Sequence, residues 1–260
     1  MTRFNNLEFD SNELSGESLS KKDSGGEASR GAGFFYEKAR RSYLAGAFEN
    51  ALREYSRSLD TNPAFLQSWL GQIRMLIELG EYPEAIVWAD KALESFPDNS
   101  NIYALKALAY LRDGNCTEAS AFSDLSVSKA DPSWLVWLVR AEVLRKKRTL
   151  CLSCVDKALA GVSDKNRPLI IFEAGRCLFV SGYCAEAIKY FRTAAEFVSD
   201  SALIWYELAR CQKQLGFDQA RDSIHHALEI RPDWKRAQKL EEAISGSSFL
   251  KRISRRIFRR

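Results

Sequence analysis

The sequence predicts an all-α protein built as a solenoid of repeated helix-turn-helix units, and two observations lead to this prediction. From Phe35 onward apolar residues recur at intervals of three and four, whereas no long stretch alternates with a period of two. Short segments of Gly, Asp, Asn or Pro interrupt these runs every 15 to 20 residues. The chain is therefore expected to consist of short helices joined by short connections.

A period of 34 residues arranges these helices into equal units. Glycine occupies five positions of this period, and Arg148 occupies the remaining one. Glycine readily adopts the left-handed backbone that ends one helix and begins the next. Aromatic residues keep the same period eleven residues earlier, and small residues follow them, so that neighbouring helices can pack closely. These glycines and aromatics are Gly46, Gly80, Gly114, Gly182 and Gly216, and Phe35, Trp69, Tyr103, Trp137 and Trp205.

This pattern resembles the tetratricopeptide repeat family, whose 34-residue units follow a Trp, Gly, Tyr, Ala, Phe, Pro pattern. The segments from Gly80 to Pro97 and from Gly182 to Ala194 match it well. Unit four departs from it, because residues 146–149 replace the glycine turn, and unit six is one residue short. The resemblance covers residues 35–232 and implies a right-handed superhelix of six units, at about residues 32–65, 66–99, 100–133, 134–167, 168–201 and 202–232.

The charges of the chain are concentrated at its ends. Residues 1–34 hold four basic and six acidic residues and are predicted as a disordered tail, because they have too little apolar surface to offset the entropy of ordering. Residues 246–260 hold six basic residues and no acidic one, whereas the rest of the chain carries 28 charges of each sign. A neutral repeat region argues against a nucleic-acid-binding domain with a basic face.

The sequence also limits the expected location. The chain does not begin with an apolar run of signal-peptide length, and no stretch approaches the roughly 18 apolar residues of a membrane-spanning helix. We therefore expect a cytoplasmic protein that is at most peripheral at a membrane.

The C-terminal end is predicted to form a capping helix and a tail. In residues 233–245, Trp234 and three aliphatic residues recur at helical spacing, with polar residues between them, as in a helix that closes a solenoid. Residues 245–248, Ser-Gly-Ser-Ser, are predicted as a hinge into the basic tail, residues 246–260.

This tail is predicted to bind an anionic membrane surface or an acidic partner. In a helix the apolar positions 249, 250, 253 and 257 would fall within one arc of about 100°, opposite most of the basic residues, with Phe258 between the two sides. Anionic lipid attracts such a segment by roughly 1 kcal/mol per basic residue. Two alternatives remain: an RNA-binding or RNA-processing factor that uses the same tail, and a solvated tail. The residues expected to contribute are Phe249, Leu250, Lys251, Arg252, Ile253, Arg255, Arg256, Ile257, Arg259 and Arg260.

Few residues could carry chemistry, so we expect no catalysis, no metal and no cofactor. His225 and His226 are adjacent and would face different directions on a helix. Cys151 and Cys154 have the spacing of a redox or zinc pair, but no second pair accompanies them, which leaves a thiol or zinc enzyme as a minor alternative. The other cysteines recur at multiples of 34 residues, which favours packing roles for them. They are Cys116, Cys177, Cys184 and Cys211.

The first helix of each unit carries a pattern that predicts a peptide-binding groove. One 34-residue series holds mainly aromatic and aliphatic residues, and arginine dominates the positions four residues later, on the same helix face. The resemblance implies that these positions line the concave surface. Arginine binds carboxylates through two parallel hydrogen bonds, so the expected ligand is an acidic or carboxylate-bearing protein segment. The predicted groove residues are Tyr36, Arg40, Leu70, Arg74, Leu108, Arg112, Leu138, Arg145, Phe172, Arg176, Tyr206 and Arg210.

Two observations limit this prediction. Arg176 and Arg210 each follow a glutamate by three residues and could simply form surface pairs with it. Chaperone-binding members of the family hold a terminal carboxylate with Lys and Asn, whereas Tyr36, Arg40 and Gly71 occupy the first of these places, so binding of heat-shock protein tails is not implied. The predicted function is a non-enzymatic interaction scaffold or adaptor, with its partner and oligomeric state unspecified.

Overall fold

The computed structural model describes residues 31–130, 132–160 and 166–257, with side chains as far as residue 246. Within these ranges the chain forms thirteen helices and no strand. Twelve of them pair in chain order into six helix-turn-helix units, which confirms the predicted all-α right-handed solenoid. The helices are α1 Ala32–Leu44, α2 Phe48–Thr61, α3 Leu66–Leu79, α4 Tyr82–Ser95, α5 Ser100–Asp113, α6 Cys116–Ser128, α7 Trp134–Val143, α8 Arg148–Leu159, α9 Arg167–Val180, α10 Cys184–Phe197, α11 Ala202–Leu215, α12 Ala220–Ile230 and α13 Lys235–Ile257.

The predicted terminal segments are covered only in part. Residues 1–30 of the predicted disordered tail, and the tail residues Arg259 and Arg260, lie outside the described residues. Helix α1 begins at Ala32, so the helical region starts three residues before Phe35.

The glycines of the 34-residue period end helices as predicted. The φ angle is +72° at Gly46 and +87° at Gly80, and the other three glycines of the series also have left-handed backbone. Residues with a side chain rarely adopt this conformation. In unit four, α7 has only ten residues, and Leu144, which follows it, has a φ of −87°. The turn of this unit therefore uses ordinary backbone, in agreement with the missing glycine.

Small residues lie where helices approach most closely. The alanines on the repeat period have no exposed surface, and the indole rings of Trp69 and Trp88 pack 5.5 Å apart beside them. A continuous core thus runs through the units, as the spacing of small and aromatic residues predicted. The alanines are Ala39, Ala51, Ala85, Ala107, Ala119, Ala141, Ala187 and Ala209.

The solenoid curves until its first unit contacts its last unit. Ser201, at the start of α11, donates a hydrogen bond of 2.8 Å to the carbonyl oxygen of Leu44 at the end of α1. Arg231 donates a hydrogen bond of 3.2 Å to the carbonyl oxygen of Ala45, the residue after Leu44. The indole of Trp234 lies so close to Gly46 that a Cβ atom there would be 2.5 Å from it. The first helices of the units therefore surround an interior that is only partly open to solvent, in place of an open concave surface.

Helix α13 runs without interruption to Ile257. Trp234, Ala237 and Ile244 are buried, so that the start of this helix covers the end of the solenoid. Residues 245–248, predicted as a hinge, are helical, since glycine in a helix costs only about 1 kcal/mol relative to alanine and keeps its backbone hydrogen bonds. Among the described helices, none combines the length and apolar character needed to cross a membrane.

Candidate binding site inside the solenoid

A cavity of about 270 Å³ lies inside the solenoid and is partly open to solvent. We call it the chamber. Its walls come mainly from the first helices of the first five units, and they combine aromatic and aliphatic side chains: Tyr36, Tyr55, Leu70, Met75, Leu105, Trp134 and Leu169. Polar residues at the N-terminal ends of α3, α5, α7 and α9 form its mouth: Gln67, Asn101, Ser133 and Asn166. The chamber therefore combines apolar walls with a polar entrance.

Close packing around Tyr55 shapes one wall of the chamber. A Cβ atom on Gly71 would lie 2.4 Å from the Tyr55 ring, so glycine lets this ring approach α3. Tyr36 packs beside it, with ring centroids 5.9 Å apart, and also contacts Phe65 at 5.4 Å. Burial raises the pKa of Tyr55, so its phenol is neutral at neutral pH. This wall is an uncharged aromatic surface.

Hydrogen bonds hold the mouth of the chamber in shape. Ser133 Oγ donates a bond of 2.5 Å to Asn101 Oδ1 and accepts one of 3.2 Å from the backbone N–H of Leu135. Ser133 thereby caps α7 and places Trp134, the first residue of that helix, against the chamber. The aromatic wall and the polar mouth are thus held by the same contacts.

Buried charges form the floor of the chamber. We call this cluster, which consists of Tyr43, Arg74, Glu78, Glu173 and Arg176, the closing network. Tyr43 Oη donates a hydrogen bond of 2.5 Å to Glu173 Oε1 and accepts one of 2.8 Å from Arg176 Nη1. Arg74 pairs with the other oxygen of Glu173, and Arg176 donates two parallel bonds of 2.7 Å to Glu78. The network joins α1, α3 and α9 across the interior.

Burial and neighbouring charges set the ionisation of this network. Burial raises the pKa of Tyr43 well above its usual value, although Arg176 and Arg74 oppose the change. Burial by itself would also raise the pKa of Glu78, but the charge and hydrogen bonds of Arg176 outweigh it, so this pKa is lowered. At neutral pH Tyr43 is therefore a neutral hydrogen-bond donor and Glu78 is a carboxylate.

A second cavity, of about 230 Å³, lies beyond the closing network. Arg74 and Glu173 border both cavities. In the wall of the second cavity, Arg112 donates a hydrogen bond of 2.5 Å to Glu142. Burial raises the pKa of Glu142, although Arg112 opposes the change. The closing network therefore separates the apolar chamber from a more polar cavity.

The glycine turns, the paired helices and the 34-residue period agree with one known family. A sequence profile of the tetratricopeptide repeat family matches residues 43–121. The chain therefore contains a tetratricopeptide repeat segment at these residues. Its helix pairs extend this pattern beyond the matched segment, from α1 to α12.

Three proteins that this chain resembles are much longer than the segment that matches it. Protein SGT1 homolog of Oryza sativa subsp. japonica is 30% identical over 93 residues, which are 36% of this chain and 25% of the rice protein. The APC/C hetero-tetramer Cut9-Hcn1 aligns with 82% of this chain and 43% of its own, at 17% identity and a TM-score of 0.51. The human IFIT1 dimer with PPP-AAAA aligns with 82% of this chain and 52% of the IFIT1 chain, at 19% identity and a TM-score of 0.54. This chain thus spans well under two thirds of each relative, and the structural matches concern the solenoid fold.

Most of the predicted groove residues of this repeat protein do line the interior. Eight of the twelve do so: four border the chamber, of which Arg74 also borders the second cavity, and four border the second cavity alone. The chamber residues are Tyr36, Arg40, Leu70 and Arg74, and those of the second cavity are Leu108, Arg112, Leu138 and Arg176.

Four predicted groove residues lie elsewhere. The assignment is wrong for Phe172, which is completely buried because α10 packs over this side of α9 and leaves no open surface. Tyr206 stacks on Trp234, with ring centroids 4.6 Å apart. Arg210 lies over the Tyr206 ring, and Arg145 borders neither cavity.

Predicted groove arginines pair with carboxylates of the same chain. Besides the pairs described above, Arg210 lies 2.7 Å from Glu207, and Arg40 lies 3.3 Å from the exposed Glu37. Both are i,i+3 pairs, the arrangement that the sequence offered as an alternative for Arg210. The interior therefore presents little uncompensated positive charge to an acidic ligand, and its apolar walls are the more distinctive feature.

Sequence reasoning missed the residues that bring the interior together. Tyr43 and Glu78 carry no signal in the repeat pattern. Glu173 does not stand out either, because Glu37 and Glu207 occupy the same period position in units one and six.

The cysteines and histidines show no arrangement suited to chemistry. Cys151 and Cys154 are buried, and burial raises the pKa of the Cys151 thiol to about 11, which disfavours the reactive thiolate. Three of the four period cysteines are buried as predicted, but Cys116, the first residue of α6, is exposed, so its predicted packing role is wrong. Both histidines are exposed beside Glu229. Within the described ranges, no three His, Cys, Asp or Glu side chains come together as metal ligands.

We expect the Glu78→Gln variant to be less sensitive to acid than the unmodified protein. The pKa of Glu78 is lower in the folded protein than its usual value. Such a carboxylate stabilises the fold above its unfolded pKa, and this stabilisation is lost as pH falls through the folded pKa. The free energy of unfolding, measured in urea at about pH 7 and about pH 3, should therefore fall less in the variant. An equal fall would contradict the pairing, and Glu94→Gln, at an exposed position of α4, is the control.

Proposed function

We propose that this repeat protein is a non-enzymatic adaptor that binds a segment of a partner protein by taking an apolar side chain into the chamber. The chamber itself is the observation that supports the proposal. A cavity of about 150 Å³ holds a benzene ring, so the chamber, at about 270 Å³, has room for one large aromatic side chain or two aliphatic ones.

The mouth adds a second element of recognition. Gln67 and Asn166 are exposed there, and Asn101 is partly exposed. Each side-chain amide can both donate and accept hydrogen bonds, as the backbone of an extended peptide requires. The proposed ligand is therefore an extended segment with a bulky apolar residue. Because the arginines are paired within the chain, this ligand differs from the acidic segment that the sequence predicted.

We expect Leu70→Arg to weaken peptide binding at least about tenfold, which corresponds to about 1.4 kcal/mol. Leu70 is a partly exposed wall residue, so the long charged side chain would enter the chamber without disrupting the core. Binding would be measured by calorimetry with peptides selected against the unmodified chain from a random library. Val87→Arg is the control, because Val87 is an apolar residue of α4 with 52% of its surface exposed. Equal binding by both variants, at unchanged melting temperature, would exclude the chamber as the site.

The C-terminal half of α13 supports a second contact, with an anionic membrane surface. At 100° per residue, the apolar tail positions 249, 250, 253 and 257 fall roughly opposite the helix face of Ala237 and Ile244, which packs on the solenoid. These positions therefore do not extend the face of α13 that packs on the solenoid. The tail carries six basic residues and no acidic one, which complements anionic lipid.

The tail proposal can be tested by flotation with vesicles of phosphatidylcholine and phosphatidylserine. Replacing Arg255 and Arg256 with alanine should weaken binding about thirtyfold, since each basic residue contributes roughly 1 kcal/mol. Binding to pure phosphatidylcholine should be negligible. The control is Lys235→Ala with Lys239→Ala, two exposed basic residues at the start of α13. Salt-sensitive binding to RNA without binding to vesicles would favour the RNA alternative and overturn this proposal.

A further inference from the structure

We infer that residues 4–9 of this chain bind in the chamber of the same molecule and compete there with the partner segment. This inference rests on the proposed function of the chamber and concerns its regulation. The occupant is a segment that precedes the described residues.

The described chain begins beside the chamber. Helix α1 starts at Ala32, whose carbonyl oxygen accepts a hydrogen bond of 2.8 Å from Ser58 Oγ. The N-terminal end of α1 is therefore held against α2. Tyr36, four residues later, is a wall of the chamber. Four residues of helix span about 6 Å. Any segment upstream of Ala32 is therefore attached within one helical turn of the site.

The length of chain between the segment and α1 is sufficient. Residues 10–31 number 22, and an extended chain of that length reaches about 70 Å. Attachment to the same molecule gives a segment an effective concentration in the millimolar range. At an effective concentration of about 1 mM, a segment with an intrinsic dissociation constant of about 0.1 mM would occupy the chamber in about 90% of the molecules.

Residues 4–9 have the chemistry that the chamber accepts. They bring three large apolar residues together, Phe4, Leu7 and Phe9, whereas residues 10–30 contain two that are five residues apart. The chamber walls are apolar, and its volume suits one aromatic side chain or two aliphatic ones.

The edge of the chamber can accommodate the acidic residues of this segment. Glu8 lies between the apolar residues, and Asp10 follows them. Arg40 borders the chamber with 29% of its side chain exposed, and its partner Glu37 is 58% exposed. An exposed ion pair is worth at most about 1 kcal/mol, so a second carboxylate can exchange for Glu37 at little cost.

The test uses the full chain labelled with 5-fluorotryptophan, whose fluorine signal from Trp134 reports on the chamber wall and is assigned with Trp134→Phe. The triple variant Phe4→Ala, Leu7→Ala, Phe9→Ala should shift this signal, whereas Leu14→Ala with Leu19→Ala should not. A synthetic peptide of residues 1–12 should restore the signal of the triple variant with saturation. It should bind the unmodified chain about tenfold more weakly, because the tethered segment competes. An unchanged Trp134 signal in the triple variant would overturn the inference.

Peptides selected from the random library separate this inference from the proposed function. Binding that is about tenfold tighter to the triple variant than to the unmodified chain supports both. Equal binding to both proteins overturns the tethered occupant and leaves the adaptor function standing. If no selected peptide binds either protein while the Trp134 signal still shifts, the tethered contact stands and the adaptor function fails.

Discussion

Replacing Glu173 with alanine is expected to lower the free energy of unfolding by about 3 to 5 kcal/mol, the usual effect of removing one partner from a buried ion pair. The Glu173 side chain is 4% exposed, pairs with Arg74 and accepts the hydrogen bond of Tyr43. Its loss would leave the Arg74 charge without its carboxylate between two cavities. Urea denaturation monitored by circular dichroism measures the change.

The matching surface variant is Glu37→Ala. Glu37 also pairs with an arginine, but its side chain is 58% exposed, so the expected loss is at most about 1 kcal/mol. Small-angle scattering should in addition show a larger radius of gyration for Glu173→Ala, because α9 would keep only the hydrogen bond of Arg176 to Tyr43 of α1. If both glutamates cost the same small amount, the interior is not closed by this network in solution.

Replacing Trp234 with alanine should cost about 3 to 5 kcal/mol, the range seen when a buried tryptophan is truncated. The Trp234 residue is 5% exposed, stacks on Tyr206 at 4.6 Å and lies against Gly46. It therefore links the first unit to the last. Thermal unfolding gives the loss of stability, and hydrogen exchange locates it.

Hydrogen exchange distinguishes closure from simple capping. Loss of the Trp234 contact with Gly46 should accelerate hydrogen exchange at the C-terminal end of α1 as well as in α13. These two segments are far apart in sequence. Phe197→Ala, at a residue that is 59% exposed, should change stability by no more than about 0.5 kcal/mol. Faster exchange in α13 alone would mean that Trp234 only caps the solenoid.

The elements of the fold could be predicted because their causes are local. The positive φ at Gly46 and Gly80 follows from the need for a left-handed residue between two helices. The complete burial of Ala39 and Ala107 follows from their place where two helices cross. Such features depend on residues within one unit or its neighbour, and a 34-residue period repeats them.

The candidate site was predictable only in part, because its charges pair over long distances. Tyr36 and Leu70 border the chamber, at positions that the repeat pattern assigned to a groove. Arg74 also borders the chamber, but the sequence did not indicate that Glu173, 99 positions away, would neutralise it. Phe172 has the same period position as Tyr36, yet it is buried in the core. Equivalent positions in a repeat thus meet different surroundings.

The sequence by itself determined the helices, their pairing into six units and most of the positions that line the interior. Only the tertiary structure decided that the two ends of the solenoid meet, that the closing network divides the interior and that the arginines bordering it are paired within the chain. The physical reason is that the curvature of a solenoid accumulates from a small rotation at each unit. Whether α1 meets α11, and whether Gly46 meets Trp234, depends on the sum of these rotations, including those at the short α7 and the shortened sixth unit. A pattern within one unit does not specify that sum.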